Sequence, residues 1–177
     1  MLDRLKCNVG LKRLRDMGLP KRSLQPLIPL DSAQSLGFLI DAGNREDFEF
    51  LATYCQQLEL AGVDCRVCTF FDGKETPDYL VGRARTSLIV KKDVNWLYKP
   101  VKGDALPFEE LAFDYLIDFT LIDVLPLAWV KANSAAKLHI GFNEASVLGG
   151  DVVFPMQAGS PPKQMLEVLA KYLTPQE

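Results

Sequence analysis

A three-layer α/β fold, with helices on both faces of a mostly parallel sheet, is predicted by three features of the sequence. Residues 113–142, FDYLIDFTLIDVLPLAWVKANSAAKLHIGF, read as a strand, a crossover helix and a returning strand. Residues 35–71 repeat that order, with an amphipathic stretch between two apolar runs. The apolar runs are nearly unbroken, as expected of strands covered on both faces. With 177 residues, 48% of them hydrophobic, the chain can bury one sizeable core and is short for two.

Residues 1–34 are expected to form a basic arm and tether ahead of a single domain over 35–177. LKRLRDMG favours a helix, whereas Pro20, Pro26 and Pro29 break up the stretch after it. Residues 1–22 carry seven Lys and Arg against two Asp, in a chain of formal net charge -3. Two uses of the arm stand open: packing over one edge of the domain, or an electrostatic contact with RNA or lipid headgroups.

The domain opens with SLGFLID, 35–41, a strand that ends in Asp41. Beyond Asn44, the positions Phe48, Leu51, Ala52, Cys55 and Leu58 recur at spacings of three and four. They make the stripe of an amphipathic helix that Asn44 caps and Gly62 ends. Residues 65–71 form the second strand. Residues 72–86 hold turn signals and mixed charge and read as a surface loop with a short helical turn at 78–81. SLIV, 87–90, is the third strand.

KKDVNWLYKP, 91–100, sets aromatic residues among charges. One reading is a binding loop built on Asp93, Asn95, Trp96 and Tyr98. The other has Trp96 and Tyr98 plugging the end of the sheet while Asp93 and Asn95 make local turn bonds. Residues 113–120 are a fourth, central strand; Asp123 is expected to cap the next helix, with Pro126 in its first turn. Residues 137–142 and 151–156 complete the sheet. Ser160-Pro161-Pro162 opens a last helix whose buried stripe is Met165, Val168, Leu169 and Tyr172. The sum is a Rossmann-like, mostly parallel sheet of about five or six strands preceded by a basic helical arm.

Several chemistries find no support in the letters. No P-loop pattern, no G-x-G-x-x-G turn and no G-x-S-x-G elbow occurs, so no cofactor and no nucleophilic triad are expected. The single histidine, His139, falls inside a strand and reads as structural. Cys65 and Cys68 stand three apart on a strand, which turns them to opposite faces; with Cys7 and Cys55 they read as structural thiols rather than a metal hook. No apolar run reaches the roughly 18–20 residues that span a bilayer, and the N-terminus lacks the apolar core of a secretion signal. A cytoplasmic protein is expected.

In a parallel α/β sheet, ligands meet the carboxyl ends of the strands. The candidate ligand residues there are Asp41, Asn44, Asp118, Thr120 and Asn143. If the first and fourth strands are neighbours, Asp41 and Asp118 reach one edge, where they would hold a cation or raise one another's pKa. The alternative is that each closes its own strand-to-helix turn.

The segments KDVNWLYKP, FDYLIDFT and AKLHIGF, in that order, resemble an uncharacterised protein family of Bacteroidota with a basic N-terminal helix and a small α/β body. The resemblance covers most of residues 35–156 and implies a shared fold and a bacterial source, with no activity attached. FDYLIDF, a helix and then AAKLHIGF are also similar, over about thirty residues, to the N-terminal half of heptosyltransferase-like glycosyltransferases. That likeness implies a sugar-phosphate or nucleotide-sugar ligand. The expected function is therefore a non-catalytic binding or interaction module, with a protein partner or self-association. The alternative is a small-ligand binder or enzyme using Asp41 and Asp118.

Overall fold

The computed structural model describes residues 2–21 and 26–173. Arg22 of the expected basic arm and residues 23–25 of the expected tether lie outside the described residues. The chain runs through α1 (Leu2–Met17), β1 (Ser35–Asp41), α2 (Arg45–Leu60), β2 (Asp64–Phe71), β3 (Thr86–Val90), α3 (Ala105–Glu109), β4 (Tyr115–Asp118), α4 (Leu125–Asn133), β5 (Leu138–Gly141), β6 (Val152–Val153) and α5 (Pro162–Leu173).

The six strands form one sheet in the order β3-β2-β1-β4-β5-β6, and every pairing is parallel. The chain winds outward from β1 in one direction through β2 and β3, then returns to the other side of β1 with β4. The boundary between β1 and β4 is thus the place where the winding reverses. The register sets Leu39 opposite Asp118, so Asp41 projects two residues farther along the same edge.

The period of two along each strand divides the core. Leu36, Phe38 and Ile40 of β1 and Tyr115 and Ile117 of β4 face α2 and α5, whereas Leu39 and Leu116 face α3 and α4. Cys65 and Cys68 obey the same rule, one on each face, and both are buried thiols. A row of rings crosses the first face, Phe38 to Phe119 to Phe142 to Phe154, with successive centroids 5.9, 5.6 and 6.5 Å apart. Rings at such spacing contribute about 0.5–1.5 kcal/mol per pair beyond their buried area.

Helix α2 shows how local chemistry sets an element. Asn44 Oδ1 accepts from the backbone N–H of Glu46 and Asp47, capping the first turn. Phe48, Leu51, Cys55 and Leu58 are buried against the sheet. At the other end Gly62, at φ +94°, donates to Glu59 and Val63 donates to Leu58, the paired bonds of a left-handed helix exit.

Helix α1 packs on α4, outside the three layers, through Leu14 and Val9 against Trp129, Ala128 and Ala132. Gly10 is the point of closest approach. A Cβ there would meet Leu125 Cδ2 at 2.5 Å and the Leu97 carbonyl oxygen at 3.0 Å.

Several expectations are corrected by the structure. Asp123 does not cap α4, whose N-cap is Val124; its carboxylate instead accepts from Ser146 Oγ at 2.6 Å and from the Val147 N–H at 3.0 Å, tying down the loop after β5. Tyr172 is 65% exposed, and Leu166 and Leu173 take its place in the buried stripe of α5. Met165 and Leu169 keep the expected face and Val168 is half-buried, while the Tyr172 ring lies over Phe154 with centroids 5.0 Å apart. Trp96 does not plug the sheet: it is 58% exposed while Leu97 is buried.

Candidate functional site

The reversal between β1 and β4 opens a crevice of about 300 Å³ between the β1–α2 turn, the β4–α4 turn and the start of α5. Its polar lining comes from Asp41, Asn44, Asp47, Thr120 and Ser160, and its apolar lining from Ile40, Phe119, Ile122 and Met165, among others. Three of the five ligand residues expected from sequence, Asp41, Asn44 and Thr120, are thereby brought together. Asp118 and Asn143 are not in the lining.

The first wall is preset by short-range bonds. Asp41 Oδ1 accepts from the Gly43 N–H at 3.1 Å, and Asn44 holds the helix start through its cap. Tyr79 reaches across from the 72–86 loop to donate its hydroxyl to the Ala42 carbonyl at 2.5 Å. Its neighbour Arg83 pairs with Glu49 of α2 at 2.7 Å. The loop therefore acts as a brace on the turn that carries Asp41. Asp47, one turn into the helix, has its pKa raised, first by burial and then by the adjacent Glu46.

The second wall depends on a buried ion pair. Asp118 Oδ2 lies 2.9 Å from Lys131 Nζ, and both side chains are buried. Lys131 also donates to the Gly149 carbonyl, so one ammonium group joins β4, α4 and the loop before β6. Asp118 Oδ1 accepts from the Thr120 N–H at 3.0 Å and from Thr120 Oγ1 at 2.6 Å. Because the Thr120 hydroxyl spends its proton on Asp118, it turns only acceptor lone pairs toward the crevice. Asp118 therefore stands behind Thr120, outside the crevice lining, with its Oδ1 closing the β4–α4 turn.

Asn143 belongs to a different turn, where its Oδ1 accepts from the Ala145 N–H at 3.0 Å. The 91–100 segment also lies apart from the crevice. Asp93 is buried and accepts from the Val90 N–H at 3.1 Å, and Asn95 Oδ1 accepts from Leu97 and Lys99, so these two make local turn bonds. Among the described residues no group of three or more His, Cys, Asp or Glu is placed to hold a metal ion. His139 is fully buried, and its backbone N–H donates to Asp151 Oδ2 at 2.7 Å.

The crevice has no cradle for an anion. Among the described residues no Lys or Arg lines it. The first N–H groups of α2 are taken by Asn44, and α5 begins at Pro161-Pro162, where two N–H donors are missing. What remains is a concave surface rich in acceptors, the Asp41 and Asp47 carboxylates and the Thr120 oxygen, beside which the Asn44 amide N–H₂ and the Ser160 hydroxyl can donate.

Lys131 is the residue that sequence reasoning missed. The signal was present, because LPLAWVKAN is apolar all round, and a lysine within such a helix must be buried and must find a partner. Among the described residues no helix is long and apolar enough to cross a membrane.

No curated protein and no solved structure matches the chain. One family does, over residues 11–175, from within α1 through the whole of α5. With the match extending over the whole sheet and both walls of the crevice, the chain belongs to a family of unknown function, DUF6913.

Proposed function

We propose that the protein is a non-catalytic binding module that takes a small, donor-rich, phosphate-free ligand, a polyol or an amine, at the β1–β4 crevice. The observation that carries this reading is the preponderance of acceptors in the lining, the Asp41 and Asp47 carboxylates and a Thr120 oxygen locked as an acceptor by Asp118, with no Lys or Arg among the described residues that line it. A site of this kind is met by hydroxyl or ammonium protons. Asp47 adds support, since the fold keeps an ionisable carboxyl there at a cost in its charged form.

The reading as an enzyme working through Asp41 and Asp118 has less behind it. General acid–base work by two carboxylates needs both within reach of one substrate, and Asp118 is engaged by Lys131 and Thr120. A sugar-phosphate or nucleotide-sugar ligand lacks a cation to meet its phosphates.

The test is thermal unfolding against neutral polyols, sugars, diamines and the phosphorylated forms of the same sugars. A ligand at 100 times its dissociation constant adds about 2.7 kcal/mol to the folded state. Stabilisation by unphosphorylated members that vanishes in Asp41→Ala supports the reading. Stabilisation by the phosphorylated sugars alone, or by none of the panel, overturns it.

A further inference from the structure

The segment after β3 is a hydrogen-bonded hairpin that holds an indole in solvent. Val94 and Pro100 form an antiparallel bridge, Asn95 donates to the Lys99 carbonyl at 2.9 Å, and Tyr98 donates to the Asn95 carbonyl at 2.9 Å. Tyr98 itself sits at φ 59°, the left-handed position that glycine or asparagine usually takes in such a turn. Below the tip, Leu97 is buried between α1 and α4, and its carbonyl accepts from Trp129 Nε1 at 3.1 Å. Trp96 at the tip remains 58% exposed. Trp96 is thus a large aromatic side chain exposed on a turn that backbone hydrogen bonds close.

The surroundings of the indole are cationic. A notch of about 240 Å³ beside it is lined by Lys6 of α1, Lys91, Val94, Asn95, Trp96 and Tyr98; Lys91 also lies 3.3 Å from Asp72 Oδ1 in an exposed ion pair that a phosphate would have to displace or share. Residues 91–102 hold four lysines against one aspartate, and α1 holds five Lys and Arg against two aspartates. These two adjoining segments are thus basic in a chain whose net charge is -3. The docking of α1 through Gly10 onto the Leu97 carbonyl is what brings Lys6 to the hairpin.

We propose that this notch binds single-stranded nucleic acid, with Trp96 stacking on a base and Lys6 and Lys91 meeting the flanking phosphates. A flat aromatic surface and cations lining one notch suit a chain of alternating bases and phosphates. An acidic peptide offers the cations a partner but offers the indole no ring. A lipid surface would require an apolar helix face, and that face of α1, with Leu14 fully buried, is turned onto α4.

The experiment uses the whole chain with a twelve-nucleotide oligouridine and the oligothymidine of equal length, which separate RNA from DNA as the source. Trp129 is buried, so quenching of the exposed Trp96 is the expected optical signal. By anisotropy of the end-labelled oligonucleotide, Trp96→Ala weakens binding about 5- to 160-fold, and Trp96→Phe restores most of it. Log affinity falls with log salt by about 0.7 per phosphate contacted, and the slope shrinks in the Lys6→Ala/Lys91→Ala double variant. The proposal is overturned by no binding of either oligonucleotide, by binding that Trp96→Ala leaves unchanged, or by equal quenching with polyglutamate or anionic vesicles.

Discussion

Lys131 Nζ lies 2.9 Å from Asp118 Oδ2, with both side chains withdrawn from solvent, and the pair stands directly behind the Thr120 hydroxyl that faces the crevice. A charge on the helix thereby fixes the orientation of an uncharged group at the site. The arrangement costs desolvation of two ions, and it is sustained by the Gly149 carbonyl on one side and the Thr120 bonds on the other.

Removing one member of this pair leaves the other buried without its countercharge. Lys131→Met is expected to lower stability by about 3–5 kcal/mol. The double variant Asp118→Leu/Lys131→Met recovers a large part of that loss, as a double-mutant cycle in urea unfolding reads directly. A single-variant cost below about 1 kcal/mol would mean that the pair is solvated in solution.

At Gly10 two tendencies oppose one another. Alanine is the better helix former by about 1 kcal/mol, yet its Cβ would press on the Leu97 carbonyl and the Leu125 side chain. Overpacking costs about 1–3 kcal/mol, so Gly10→Ala is expected to destabilise on balance. Thermal unfolding of this variant decides between the terms; a gain in stability would show that α1 does not dock through this glycine.

Much of this architecture was legible because apolar runs and helical stripes have different periods. The bounds of β1 and the cap at Asn44 follow from SLGFLID and the polar break after Asp41, and both stand in the structure. The order β3-β2-β1-β4-β5-β6 was not legible, since strand order depends on contacts far apart in sequence. ALPFE, now α3, is too short to display a helical period. At the site, chain order alone placed Asp41 and Thr120 on one edge, but whether Asp118 faced the crevice depended on Lys131, thirteen residues away. Trp96 and Leu97 are adjacent letters of similar hydrophobicity, and only the hairpin's geometry decides which is buried.

Capping at Asn44 serves both α2 and the crevice wall. Asn44→Ala is expected to cost about 0.5–2 kcal/mol, the usual loss for a helix N-cap that bonds two backbone donors. Asn44→Asp should retain most of the stability, because the acceptor remains; chemical denaturation of the three proteins checks the order.

Two carboxyls give opposite pH behaviour. Burial works to raise the Asp114 pKa, but the Lys137 ammonium and the N–H groups of Gln34 and Ser35 outweigh it and hold the value below the usual carboxylate range. A folded-state value lower than the unfolded one stabilises the protein above about pH 4, and that contribution is lost as the pH falls below it. Asp47 has the reverse shift, so its ionised form is a burden at neutral pH that lessens on acidification. Asp114→Asn should therefore lose stability at neutral pH and decline less steeply in acid, whereas Asp47→Asn should gain stability at neutral pH. Urea unfolding across the acid range separates the two.

The most direct test of the crevice as the working site is amide chemical-shift mapping of the isotope-labelled protein during titration with the stabilising polyol or diamine from the thermal panel. Shifts concentrated at Asp41, Gly43, Asn44, Thr120 and Ser160 are expected, together with their loss in Asp41→Ala. Shifts confined to the Trp96 hairpin, or spread over the surface without saturation, would show that the crevice is not where the ligand binds.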